Sequence, residues 1–179
     1  MPGDIRLVTV ADAAAVAAIY RPYVETTAFT FEVEPPSEAE MRRRIGETLI
    51  SYPWLVYESG GRILGYAYAS AHRTRAAYRW SVDTAIYVDA GSHRHGLGRE
   101  LYGTLFPLLV RQGYFNAYAG ITLPNAPSVG LHEAVGFELV GVCRSVGFKM
   151  GAWHDVGWWV LRLQPHAPNP DEPKMLNAI

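Results

Sequence analysis

Apolar and polar positions change period several times along this chain. Ile5 to Val10 alternates as a short strand would. After Asp12, the residues Val16, Ile19, Tyr20 and Tyr23 recur at helical spacing, with Asp12 as the cap. Pro22 lies inside that stretch and predicts a kink or an end. A loop rich in Thr and Phe spans 26–36. Ser37 and Glu40 then form a Ser-x-x-Glu capping box that opens a second helix, with Met41, Ile45 and Leu49 on its buried side. The consecutive Arg42, Arg43 and Arg44 cannot share one helical face, and are read as solvated charges.

The period then shortens. Trp54 to Glu58 and Ile63 to Ala71 flank Gly60-Gly61, a two-residue hairpin signal, and Trp80 to Val88 reads as a further strand. From Gly96 to Gln112 the helical period returns through Leu97, Leu101, Leu105, Leu108 and Leu109. Pro107 predicts a bend there, and Gly113 a stop. Ala117 to Leu123 is strand-like. Asn125 and Pro127 start a short helix that ends before Gly136, and Leu139 to Val146 and Val156 to Leu163 are the last strands. The order β-α-α-β-β-β-α-β-α-β-β predicts an α/β chain of the α+β type. Its first half is mainly antiparallel, with one parallel crossover in the middle.

All of these elements fall in residues 1–164, read as one domain. Residues 165–179 carry four prolines and read as a tail. A chain of 179 residues can bury roughly 70% of the surface that it exposes when unfolded, so it needs no staples. Hydrophobic residues at 49% and charged residues at 18% exclude a disordered chain. Sixteen Lys and Arg against seventeen Asp and Glu give a net charge of −1, which argues against nucleic acid as a partner. The single cysteine, Cys143, forbids an internal disulfide and fits a reducing, cytoplasmic setting. No signal peptide or membrane span is expected. His93 and His95 with His72 or His154 offer no helical i, i+4 pair and no Cys partner, so no metal is expected.

The most informative stretch runs from Ile86-Tyr87-Val88 to Arg94-His95-Gly96-Leu97-Gly98-Arg99 at a helix start. Two glycines at i and i+2 let backbone approach a ligand, and the free N–H groups of a helix N-terminus favour an anion such as a pyrophosphate. Arg94 and Arg99 add charge. There is no third glycine for a dinucleotide fingerprint and no Gly-Lys-Ser/Thr for a P-loop.

This turn resembles motif A of the GNAT superfamily of acetyl-CoA-dependent N-acetyltransferases, Arg/Gln-x-x-Gly-x-Gly/Ala, with His93 in the leading place. Asn125 to Phe137 resembles motif B, about 30 residues on. Tyr52-Pro53-Trp54-Leu55-Val56, Arg75 with Tyr78, Leu123-Pro124-Asn125, Leu131-His132-Glu133 and Gly151-Ala152-Trp153-His154-Asp155-Val156-Gly157 are similar to the phosphinothricin and methionine sulfoximine acetyltransferase branch. The resemblance implies the GNAT fold, a mostly antiparallel mixed sheet of about seven strands with about four helices on both faces. It implies acetyl-CoA as co-substrate, and the α-amine of a small amino-acid analogue as acceptor.

Site roles follow from the same resemblance. Acetyl-CoA would be held by Ile86, Tyr87, Val88, Arg94, His95, Gly96, Leu97, Gly98 and Arg99. A backbone N–H among Ile86 to Val88 would meet the oxyanion. Asn125 and Ser128 would bond the pantetheine arm, or serve as a helix cap and a first-turn serine. Asp83, where the branch has the longer Glu, is the candidate base through water, or a hydrogen-bonding group. His132 would protonate the leaving thiolate or deprotonate the amine. Arg75 would anchor an anionic acceptor, or be a surface charge. Phe31, Tyr78 and Trp153 would shape the acceptor pocket. A homodimer is implied, with Trp158-Trp159 and the tail at its interface. Two alternatives stand beside this reading: another acceptor, such as an antibiotic or a peptide N-terminus, and a non-catalytic acyl-CoA-binding module.

Overall fold

The computed structural model describes residues 3–179. Its strands are β1 (Asp4–Leu7), β2 (Trp54–Ser59), β3 (Arg62–Ala71), β4 (Ser81–Val88), β5 (Asn116–Leu123), β6 (Glu138–Lys149) and β7 (Ala152–Arg162). Its helices are α1 (Ala13–Thr26), α2 (Glu38–Ser51), α3 (Leu97–Gln112) and α4 (Ala126–Ala134). The strands form one seven-stranded sheet in the order β1-β2-β3-β4-β5-β7-β6. Every neighbouring pair is antiparallel except β4 and β5, which are joined through α3 and run parallel. Alternation along the strands divides the core between the two faces. Leu97, Leu101, Leu105 and Leu109 of α3 pack with Val82, Ala117, Phe137 and Trp159 on one face. Val16, Ile19 and Tyr20 of α1 and Met41 and Ile45 of α2 pack with Trp54, Val56 and Tyr66 on the other.

Several boundaries differ from the sequence reading. The first strand stops at Leu7, and Val10 opens a 3-10 turn. Asp12 does not cap α1 with its side chain; it turns back to accept the Thr9 N–H at 2.7 Å and Arg6 at 2.8 and 2.9 Å. Neither Pro22 nor Pro107 ends its helix. Ala18 and Gly103, whose carbonyls lose their donor, are exposed, so water can take its place. The last hairpin is longer than expected. Met150 and Gly151 both have positive φ, 52° and 77°, and close it as a two-residue turn. Arg44 is no free surface charge: its guanidinium grips both oxygens of Glu32, at 2.7 and 3.1 Å.

The tail folds back onto the domain. Lys174 N–H donates to the Gln112 carbonyl at 2.7 Å, Gln112 Nε2 donates to the Lys174 carbonyl, and Trp80 Nε1 donates to the Asp171 carbonyl. These contacts lie at the start of β4 and the end of α3. Among the described residues no helix is long and apolar enough to cross a membrane.

Candidate active site

The parallel pairing of β4 with β5 lasts for three residues, Ser81 to Asp83 against Asn116 to Tyr118, and then the strands part. The cleft between them continues into a cavity of about 840 Å³. Thr84 and Ile86 reach it from one face of the sheet, and Ala85 and Tyr87 from the other, so the opening passes through the sheet. On its β3 side β4 stays paired. Asp89 N–H donates to the Leu64 carbonyl at 2.8 Å, and by alternation the N–H groups of Ile86 and Val88 face the cleft.

The glycine turn stands at the cavity wall. Gly96 has φ 85° and starts α3, and Arg94 before it also has positive φ, 66°. Arg99 and Glu100 donate to the Gly96 carbonyl, which leaves the first-turn N–H groups of Leu97 and Gly98 without helical partners. The two glycines serve different ends. A Cβ on Gly98 would stand 2.7 Å from Leu131 Cδ2, so Gly98 lets α4 pack against α3. Arg94 and Arg99 line the cavity and are exposed, whereas His95 is not among its lining residues. The Leu97 side chain belongs to the core. His93, in the leading place of the turn, lies 3.0 Å from the Val88 carbonyl through Nε2, beside the Tyr23 hydroxyl, which donates to the same carbonyl at 2.6 Å.

The α4 side is tightly organised. Asn125 caps the helix, its Oδ1 accepting the Ser128 N–H at 3.2 Å, and both residues also line the cavity. His132 is 3% exposed. Its Nδ1 lies 2.8 Å from the Ser128 carbonyl, a contact that only an Nδ1–H can make. Nε2 is then the acceptor, and takes the Tyr102 O–H at 2.9 Å. Burial holds the His132 pKa below the ordinary histidine value, with the Ser128 bond opposing it. The imidazole is therefore a neutral, fully bonded group at the cavity wall.

Asp83 and His132 lie on opposite sides of the sheet. Asp83 pairs with Ser70 of β3 and Tyr118 of β5. Burial raises its pKa, and a 2.6 Å hydrogen bond from His72 Nδ1 pulls it partly back. The His72 ring stacks on Tyr118 at 4.2 Å and meets the edge of Tyr78 at 5.8 Å. Arg75 is exposed on the segment between β3 and β4. None of Phe31, Tyr78 and Trp153 is among the residues that line the cavity. Phe31 packs over Gly147, where a Cβ would stand 2.1 Å from its ring, and it is Phe29 that lines the cavity. Trp153 is 64% exposed on the β6–β7 hairpin, paired with Phe148. Trp159, expected at a subunit interface, is 3% exposed and part of the core.

The sequence reading missed His72 as a partner of Asp83, and Tyr102 as a partner of His132. The 3.6-residue period of α3 signalled Tyr102 only as core. The β3–β4 hairpin signalled neither the register nor the His72 contact.

A split parallel pair, a helix start with free N–H groups at the gap and arginines at its mouth make a cleft suited to a phosphate-bearing co-substrate, the arrangement of a group-transfer enzyme. The acetyltransferase (GNAT) domain family matches residues 5–158, and the chain belongs to that family. It is 43% identical over 176 residues to the phosphinothricin N-acetyltransferase of Streptomyces viridochromogenes, covering 96% of this chain and 94% of that one. It is 33% identical to the L-methionine sulfoximine/L-methionine sulfone acetyltransferase of Salmonella typhimurium, over 91% of this chain and 96% of the relative. The GNAT superfamily phosphinothricin acetyltransferase from Sinorhizobium meliloti, solved in complex with AcCoA, superposes with a TM-score of 0.90. It is 35% identical, with 97% of this chain and 94% of that one covered.

Proposed function

We propose that this protein transfers the acetyl group of acetyl-CoA to the α-amine of a small amino-acid analogue of the phosphinothricin, methionine sulfoximine or methionine sulfone type. The observation that carries the proposal is the through-sheet cleft between β4 and β5. It offers backbone donors at one wall and a partly buried carboxyl, Asp83, close to the other. Asp83 and Ala85 share a sheet face, about 7 Å apart by strand geometry, and Ala85 lines the cavity.

In this reading the pyrophosphate sits against the first turn of α3, with Arg94 and Arg99 beside it. Asn125 keeps its Oδ1 for the helix cap, and its Nδ2 donors remain for the pantetheine arm. The acceptor enters on the Asp83 side, where Arg75 meets its carboxylate or tetrahedral anionic group. The amine reaches the thioester through the parted strands, and the Asp83 side removes its proton. The Ile86 or Val88 N–H stabilises the oxyanion. His132, neutral and bonded through both ring nitrogens, does not start the cycle as an acid; it lines the cavity and accepts the buried Tyr102 hydroxyl behind it.

The protein acts as a homodimer in this proposal. Val146, Phe148, Met150 and Trp153 are each more than half exposed on the last hairpin, an apolar stripe that a second copy would cover. The soluble, cytoplasmic setting is part of the same reading.

Arg75→Ala tests the acceptor side. With phosphinothricin varied and acetyl-CoA saturating, it is expected to raise the acceptor KM at least about tenfold while leaving the acetyl-CoA KM within about twofold. An unchanged acceptor KM would remove Arg75 from the site.

A further inference from the structure

Asp83 is short for its task. It stands where the branch that the sequence resembles carries the longer glutamate. In the structure its carboxylate is already engaged by His72, the residue that follows β3. Nδ1 of His72 lies 2.6 Å from Asp83 Oδ1. The imidazole is held on other sides as well. It stacks on Tyr118 at 4.2 Å with an interplanar angle of 13°, and meets the edges of Tyr78 at 5.8 Å and Trp158 at 6.2 Å. Arg73 donates to the His72 carbonyl at 2.8 Å and lies over the Trp158 ring. Its other nitrogen, Nε2, has no partner. His72 Nε2 is not among the sealed, unpartnered side-chain atoms of the described residues, so it keeps some contact with solvent although the side chain is only 11% exposed.

The ring is not itself among the residues that line the cavity, but is joined to it through a neighbour, Trp158. Trp158 covers Gly120, whose Cβ would stand 3.3 Å from that indole, and Gly120 lines the cavity. A carboxylate on Nδ1 fixes the tautomer that leaves the Nε2 lone pair free. Imidazole is as a class suited to proton transfer from an amine, and this nitrogen lies one hydrogen bond and one ring width beyond Asp83.

We propose that His72 takes the proton from the acceptor amine and that Asp83 is its positioning residue. This rests on the acetyl-transfer reading above. The substrate ammonium gives one proton to His72 Nε2, and the imidazolium is balanced by Asp83. The freed nitrogen pair forms the C–N bond to the acetyl carbonyl carbon. The C–S bond then breaks with its electrons left on sulfur. The second nitrogen proton passes to that thiolate, and His72 returns its own proton to water. Ammonium and thioester thus become amide, thiol and one proton. The charged and titratable groups that face the pair are Arg73, Tyr68 from β3, Tyr78 from the connecting turn and Tyr118 from β5.

The test compares wild type, His72→Ala, His72→Gln, Asp83→Asn and the His72→Ala/Asp83→Asn double variant, with acetyl-CoA and phosphinothricin. Acetyl-CoA affinity and melting temperature certify folding; if His72→Ala fails to fold, His72→Gln supplies the comparison. Loss of His72 is expected to lower kcat about 10²- to 10³-fold. The acetyl-CoA KM should stay within about twofold, and raising the pH, which deprotonates the amine itself, should recover part of the rate. The double variant should be no slower than His72→Ala, because the two residues act as one unit. A His72 variant with kcat and pH profile within about threefold of wild type overturns the proposal, as do losses that multiply in the double variant. A substrate-free readout separates this from failure of the acceptor assignment. The His72 Nδ1–H resonance should be present in wild type and lost in Asp83→Asn, whatever amine is acetylated. Its absence from wild type overturns the dyad.

Discussion

The space beside Gly98 is filled by the end of the Leu131 side chain. The sequence suggests that both glycines of the turn clear space for a ligand. Only Gly96 needs its left-handed backbone, while a Cβ at 98 would meet the Leu131 side chain at 2.7 Å. Gly98→Val is expected to part α3 from α4 and to destabilise by about 1–3 kcal/mol. The acetyl-CoA KM should rise with it, since both helices wall the cavity. Thermal melting with kinetics checks this, and an unchanged melting temperature would show that the Leu131 contact yields freely. Two titrating groups act on stability in different directions. Asp83 has a raised pKa, so the folded protein binds more protons than the unfolded chain between the ordinary aspartate value and the raised one. Stability therefore falls as pH rises through that window. His132 has a lowered pKa, so the unfolded chain binds more protons just below the ordinary histidine value. Its contribution is present above that value and is lost as pH falls.

At the scale of elements, the join between β1 and α1 rests on one carboxylate. Arg6 and the Thr9 N–H hold the Asp12 pKa down to about 2. The folded value is below the unfolded one, so this contribution is present above the usual aspartate range and is lost as pH falls toward 2. Asp12→Asn should cost about 1 kcal/mol at pH 7, kept small by solvent screening, or about 2–4 °C in Tm. The gap to wild type should close near pH 2; a gap that persists there would assign the effect to packing. The elements themselves were largely legible. Leu97 to Leu109, the Ser37 cap and the Gly60-Gly61 turn each signal locally. The β6–β7 turn was not legible, because Met150 takes a positive φ that methionine does not advertise. The His72–Asp83 contact was hidden for a different reason: it exists only once the β3–β4 register sets Asp83 opposite Ser70.

For the whole molecule, one parallel pair in an otherwise antiparallel sheet explains where the cleft lies. β4 and β5 are bridged by α3 at one end and held together for only three residues, so they part where α3 begins. The tail closes the other end, against Trp80 and Gln112. The apolar stripe of the last hairpin should be covered in solution. Sedimentation at micromolar concentration is expected to give a dimer for the wild type and a monomer for Trp153→Arg; a wild-type monomer would leave that stripe without a partner. Thiol release from acetyl-CoA should be followed with phosphinothricin, methionine sulfoximine, methionine sulfone, free methionine, a peptide N-terminus and an aminoglycoside, each varied to give kcat/KM. Turnover is expected with at least one of the three tetrahedral analogues, well above the last three amines. Turnover with the peptide or the aminoglycoside, and none with the analogues, would contradict it.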